Sequence, residues 1–127
     1  LDKPLTLSLF PETLAICRLP AGSAVPDWAA AGQFFAITRT PEELSIVCPM
    51  QCFPPGIPFQ GPWRAFKVEG PLDFSLAGIL AGLAGCLAAD RISLFAISTY
   101  DTDYILVRGS DLPAAQQALR AAGYHLI

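Results

Sequence analysis

Residues 35–47, FAITRTPEELSIV, and residues 95–107, FAISTYDTDYILV, are one motif written twice at an offset of sixty. Phe, Ala, Ile and the final Val coincide, and Thr38 aligns with Ser98, Glu43 with Asp103 and Ile46 with Leu106. Each copy is an apolar run, a polar turn and a second apolar run, the pattern of a β-hairpin. A repeat of this kind constrains the fold strongly, because each copy must form one supersecondary unit that packs on its own surroundings. Between the copies, residues 49–62, PMQCFPPGIPFQGP, hold five prolines and two glycines. Proline fixes φ and lacks a backbone donor, so this stretch is neither regular helix nor central strand. It is the expected joint between two units, residues 1–60 and 61–127.

The second unit has a readable order. WRAFKVE, residues 63–69, predicts a short strand, and Gly70-Pro71-Leu72 breaks it. Asp73 is placed to cap a following helix, since a carboxylate accepts from the free N–H groups of a first turn. Leu76, Ile79, Leu80, Leu83 and Leu87 recur at spacings of three and four, one face of a helix. Gly78, Ala81, Gly82, Gly85 and Ala88 make much of the remaining surface small, which permits close approach by another backbone or helix. Each glycine costs about 1 kcal/mol relative to Ala in a helix. The hairpin follows. Ser110 or Asp111 then caps a second helix, Pro113 lies in its first turn and Gly123 ends it. Leu112, Ala115, Leu119 and Ala122 give its expected buried face. YHLI returns as a last strand, which completes β-α-β-β-α-β.

The first unit is less regular. LTLSLF and TLAICRL predict two strands around Pro11-Glu12, and VPDWAAAG, residues 25–32, allows only a short helix. No second helix is expected before the proline-rich joint. The expected fold class is therefore α+β: two tandem ferredoxin-like units, the first degenerate, with antiparallel sheets and helices on one face.

Composition excludes several classes of function. The chain is 53% hydrophobic and 15% charged over 127 residues, with a net charge of −3. That is enough apolar side chain for a core, and without a run of Lys or Arg no nucleic-acid partner is expected. The longest apolar run, residues 74–89, has sixteen residues, short of the roughly 20 that a bilayer helix needs. It reads as a buried helix, and no membrane partner is expected. The N-terminal residues lack the features of a signal peptide, so the cytoplasm is the expected compartment. Cys17, Cys48 and Cys86 lie in apolar segments, where a free thiol acts as a small hydrophobe. Cys48 and Cys52 form a C-x3-C pair, but the only histidine, His125, is distant in sequence. No metal site and no cofactor are expected.

A β-α-β-β-α-β unit carrying GPLDFSLAGIL together with STYDTDYILV resembles an ACT domain, a small-molecule regulatory module. The whole run from residue 66 to 107 is similar to small tandem ACT proteins of bacteria, to arginine sensors of the CASTOR type and, more distantly, to the regulatory ACT region of aspartate kinases. The resemblance covers residues 63–125 well, residues 34–47 moderately and the first thirty weakly. It implies a non-enzymatic protein that binds a small molecule, an amino acid above all, at an interface between ACT units. Arginine is one candidate. The resemblance also implies a homo-oligomer, dimer or tetramer. It places one wall of the site at Gly70, Pro71, Leu72, Asp73 and Phe74, and the other at Thr99, Tyr100 and Asp103.

The chemistry of those residues fits an amino acid. A helix N-terminus near Asp73 suits a carboxylate. Asp103 and Thr99 offer acceptors to a cationic group, and Tyr100 offers a ring face to a basic side chain. Asp103, rather than Asp101, is the expected ligand acid. The plainer reading stands beside this one: Asp and Thr are ordinary turn residues, because they bond to local backbone. Glu43, aligned with Asp103, marks either a second site or a purely structural turn. Ser98, His125 and Asp101 offer the makings of a triad, but no G-x-S-x-G, Walker A, dinucleotide or HExxH motif is present. An interaction module without a small ligand is the alternative function.

Overall fold

In the computed structural model, residues 5–70 and 78–127 are described. Eight strands and two helices follow in chain order: β1 (Thr6–Leu9), β2 (Leu14–Leu19), β3 (Ala36–Arg39), β4 (Leu44–Pro49), β5 (Gln60–Val68), α1 (Ile79–Ala89), β6 (Leu94–Ser98), β7 (Asp103–Arg108), α2 (Leu112–Ala121) and β8 (His125–Leu126). The chain divides into two compact units, a smaller one, Glu12–Trp63, and a larger one made of the residues on either side of it. The expected boundary at residue 60 thus falls just before Trp63, inside β5. The first strand also parts from its sequence neighbours: β1 pairs with β5 and β8 in the larger unit.

The larger unit has the strand order β8-β1-β5-β7-β6. Leaving out β1, its elements are β5-α1-β6-β7-α2-β8, the expected β-α-β-β-α-β. The inserted β1 runs antiparallel to β5, with Leu7 opposite Val68, and parallel to β8, with Leu7 opposite Leu126. Side chains alternate across a strand. Phe66 and Val68 of β5, Leu7 of β1, and Ile105 and Val107 of β7 all face one core with Ile79, Leu83 and Leu87 of α1 and Ala115 and Leu119 of α2. Both helices therefore cover the same face of this sheet. Lys67, Thr102 and Tyr104 alternate with those core residues and lie on the other face.

Ile79, Leu83 and Leu87 are spaced by four and are the buried residues of α1. Its N-cap is Gly78 at φ 82°, a left-handed conformation that glycine adopts without a Cβ penalty. The cap of α1 is thus Gly78 and not Asp73; Asp73 and Leu76 lie outside the described residues. A Cβ added to Gly82 would meet the Tyr124 hydroxyl at 3.2 Å, so one helix glycine has a packing reason. The Cys86 thiol donates to the Ala118 carbonyl at 3.3 Å and links the two helices. In α2, Pro113 lies in the first turn as expected, and Asp111 holds the N-cap position without a side-chain cap bond. Ala118 is buried in place of the expected Ala122, which is exposed.

In the smaller unit β4 pairs with β3 and β2, and β2 pairs with the start of β5 through Leu14 opposite Trp63. Cys17, Leu44, Ile46, Cys48 and Ala29 form its core. The short helix expected at residues 25–32 is a single 3-10 turn, Asp27–Ala30. Trp28 packs against Phe53 with ring centroids 5.0 Å apart and the ring planes tilted by 41°.

The two hairpins repeat, but one residue away from the ungapped alignment. In the first, Arg39 is opposite Leu44; in the second, Ser98 is opposite Asp103. Strand β4 starts at Leu44 and is followed by a 3-10 turn, Met50–Cys52. Strand β7 starts at Asp103 and is followed by a 3-10 turn, Gly109–Asp111, each fifty-nine residues on. Thr40 is therefore the counterpart of Thr99, Glu42 of Asp101, and Glu43 of Thr102. Asp103 corresponds to Leu44, not to Glu43. A slip of one residue moves a side chain to the opposite face of a sheet, so Glu43 is not the structural counterpart of Asp103. Turn chemistry sets the true register. The N–H of Thr40 donates to the Glu43 carbonyl at 2.9 Å, and that of Thr99 to the Thr102 carbonyl at 2.8 Å.

Candidate functional site

The β6–β7 turn is built by its threonines. The Thr102 N–H donates to the Thr99 Oγ1 at 3.2 Å, and the Thr99 hydroxyl donates to the Thr102 carbonyl at 3.1 Å. Such side-chain-to-backbone bonds close a turn locally. Tyr100 and Asp101 form its tip, with Tyr100 82% exposed. Thr102 is the one buried polar side chain among the described residues. Its hydroxyl donates to the Val68 carbonyl at 2.5 Å, which binds the turn to the end of β5.

Gly70 lies two residues beyond Val68, so this bond sets the turn beside it. A cleft of ≈ 150 Å³ opens there, lined by Lys67, Gly70, Asp101 and Thr102. Lys67 and Asp101 bring opposite charges to its walls. Neither side chain makes a hydrogen bond or ion pair with another described residue. Glu69, the neighbour of Gly70, accepts from the Ser8 hydroxyl at 2.5 Å.

The expected site residues are placed as follows. Gly70 lines the cleft. Thr99 is spent on closing the turn, and Tyr100 projects from its tip. Asp103 accepts from the Ser98 hydroxyl across the hairpin at 2.7 Å and shares the helix-covered face with Ile105, whereas its neighbour Thr102 faces the other way. Pro71, Leu72, Asp73 and Phe74 lie outside the described residues.

Lys67 and Thr102 were not singled out by sequence reasoning, and Asp101 was set behind Asp103. Lys67 carried a signal, because it alternates with the apolar Phe66 and Val68. The burial of Thr102 depends on a carbonyl thirty-four residues away, and no local pattern announces it.

The cysteines behave as apolar filling. All four are free thiols, with Cys17 and Cys48 buried. Burial, with smaller contributions from Cys52 and Cys17, pushes the Cys48 thiol up to about 12. Among the described residues no group of three His, Cys, Asp or Glu is placed to hold a metal ion, and no helix is long and apolar enough to cross a membrane. His125 is exposed on β8.

The ACT-domain family profile matches residues 59–121, from β5 through α2. A separate N-terminal-domain profile matches residues 12–55, most of the smaller unit. The mouse cytosolic arginine sensor for mTORC1 subunit 1 is 35% identical over 122 residues, covering 80% of this chain; the chain spans 37% of that protein's length. An X-ray structure of a protein from Agobacterium tumefaciens is 36% identical, with a TM-score of 0.92 over 99% of this chain and 94% of that one. The alpha and beta subunits of an aspartokinase share the fold at 14% identity and a TM-score of 0.64, over 92% of this chain and 96% of that one. At residues 59–121 the chain carries a domain of the ACT family.

Proposed function

We propose that this chain is a non-catalytic regulatory protein that binds an amino acid at the end of the larger unit, where Gly70 meets the β6–β7 turn. The observation that carries this reading is the cleft bounded by Lys67, Gly70, Asp101 and Thr102: a small site with one positive and one negative wall suits a zwitterion. Residues 70–74 form one side of the proposed site, and Thr99, Tyr100 and Asp103 the other. Likeness to a cytosolic arginine sensor supports amino-acid sensing and a cytosolic place of action. The proposed assembly is a dimer or tetramer in which a second copy completes the site against an ACT unit.

A second reading, an interaction module without a small ligand, is favoured by Tyr100, whose ring stands 82% exposed at the turn tip. A thermal-shift screen of the twenty amino acids separates the two. A ligand that binds only the native state raises Tm by mass action. A rise with one or a few amino acids supports the sensor; no rise with any of them at millimolar concentration supports the interaction module.

A further inference from the structure

Each unit carries a cation on the strand beside its hairpin's second strand and an acid in the hairpin turn. Lys67 sits on β5 between Phe66 and Val68, both in the larger unit's core. Arg18 sits on β2 between Cys17, which is in the smaller unit's core, and Leu19, which packs against it. Each cation thus points to the face away from its core. β5 pairs with β7 as β2 pairs with β4, so each cation's strand lies beside the second strand of its hairpin. The turn acids correspond as well, Asp101 in the larger unit and Glu42 in the smaller.

The pairs differ in what they do. Arg18 donates to the backbone carbonyl of Glu42 at 2.8 Å, so the smaller unit's cation closes over its own turn. Arg39 adds a bond to the Ser23 carbonyl at 2.7 Å and another to the Ala21 carbonyl. In the larger unit Lys67 and Asp101 stand on the walls of an open cleft. Lys offers three donors and no acceptor, and an ionised Asp offers only acceptors. Together they match a carboxylate and an ammonium held on one carbon. A cavity of about 150 Å³ takes a molecule the size of benzene, which fits the head group of an amino acid and leaves a long side chain outside.

We propose that Lys67 and Asp101 clamp the carboxylate and ammonium of one amino acid, and that Arg18 closes the equivalent place in the smaller unit, so that each chain binds one ligand. This inference rests on the amino-acid-binding reading above and names the groups that perform it. The clamp reads what all amino acids share. Selection among them falls to residues outside the cleft.

The test is a thermal-shift panel of the twenty amino acids and their carboxamides on the wild type and on Lys67→Met, Lys67→Arg and Arg18→Met. Every variant is first checked for a native circular dichroism spectrum and a cooperative melt. The amino acids that raise the wild-type Tm should lose the effect in Lys67→Met, by about tenfold or more in affinity, and keep it in Lys67→Arg and Arg18→Met. Their carboxamides, which lack the negative charge, should give no rise. Calorimetric titration of the same amino acids should give one site per chain. A rise retained in Lys67→Met, an equal rise with the carboxamides, or two sites per chain overturns the clamp while leaving amino-acid binding intact. No rise with any amino acid on the wild type overturns both.

Discussion

The hydroxyl of Thr102 donates to the carbonyl of Val68 at 2.5 Å, and through that bond the β6–β7 turn is fastened beside Gly70. The bond joins strand order to function. Without it, Asp101 would hang on a hairpin tip attached only to its own strands. Thr102→Val keeps the side-chain shape and leaves a buried carbonyl without its hydroxyl partner. It should cost about 1–3 kcal/mol, read as a lower urea midpoint with an unchanged denaturant slope. An unchanged midpoint would show that the carbonyl finds another donor.

Asp103 has a different expected effect. Its carboxylate is held by the Ser98 hydroxyl and is proposed to receive a cationic side chain. Asp103→Ala should weaken binding of basic amino acids by about tenfold, the scale of one charge-assisted hydrogen bond, and leave neutral ones unaffected. Calorimetry showing equal affinity for arginine in the variant and the wild type removes Asp103 from the site.

The helix glycines separate by their surroundings. A Cβ at Gly85 meets nothing within 4 Å, while one at Gly82 meets the Tyr124 hydroxyl at 3.2 Å. Gly85→Ala should stabilise the protein by roughly 0.5–1 kcal/mol through helix propensity. Gly82→Ala should gain less, because Tyr124 must shift. Thermal melts of the two variants check the order.

Cys48 predicts a loss of stability in alkali. Burial raises its thiol from 9.0 to about 12 in the folded chain. Its contribution is therefore intact below pH 9 and is lost as the pH rises toward about 12, because the unfolded thiol ionises first. Cys17 is raised in the same direction, by burial. Urea midpoints measured from pH 8 upward should fall more steeply in the wild type than in Cys48→Ala, compared with each protein's own midpoint at pH 8. Parallel curves would contradict a buried, neutral thiol.

Much of the larger unit was legible because its signals are local. The spacing of Ile79, Leu83 and Leu87 gives α1, Pro113 and Gly123 bracket α2, and two apolar runs around a polar turn give the hairpin. The path of β1 was not legible. Its partners are Phe66, Lys67 and Val68 of β5 and His125 and Leu126 of β8, all far along the chain. The repeat was legible as a repeat and misread by one residue. Identity at Phe, Ala and Ile favoured sixty, while the threonine-closed turns impose fifty-nine. That single residue decides which acid corresponds to which, and it shifts attention from Asp103 to the matched pair Asp101 and Glu42.

The most direct test of amino-acid binding at this turn is a proton–nitrogen correlation spectrum of the labelled protein, titrated in turn with each of the twenty amino acids. Saturable shifts of the Gly70, Asp101 and Thr102 amides are expected with at least one of them, and none at Glu42 and Glu43. Saturable shifts confined to other residues, or no shift with any amino acid, would contradict binding at this turn.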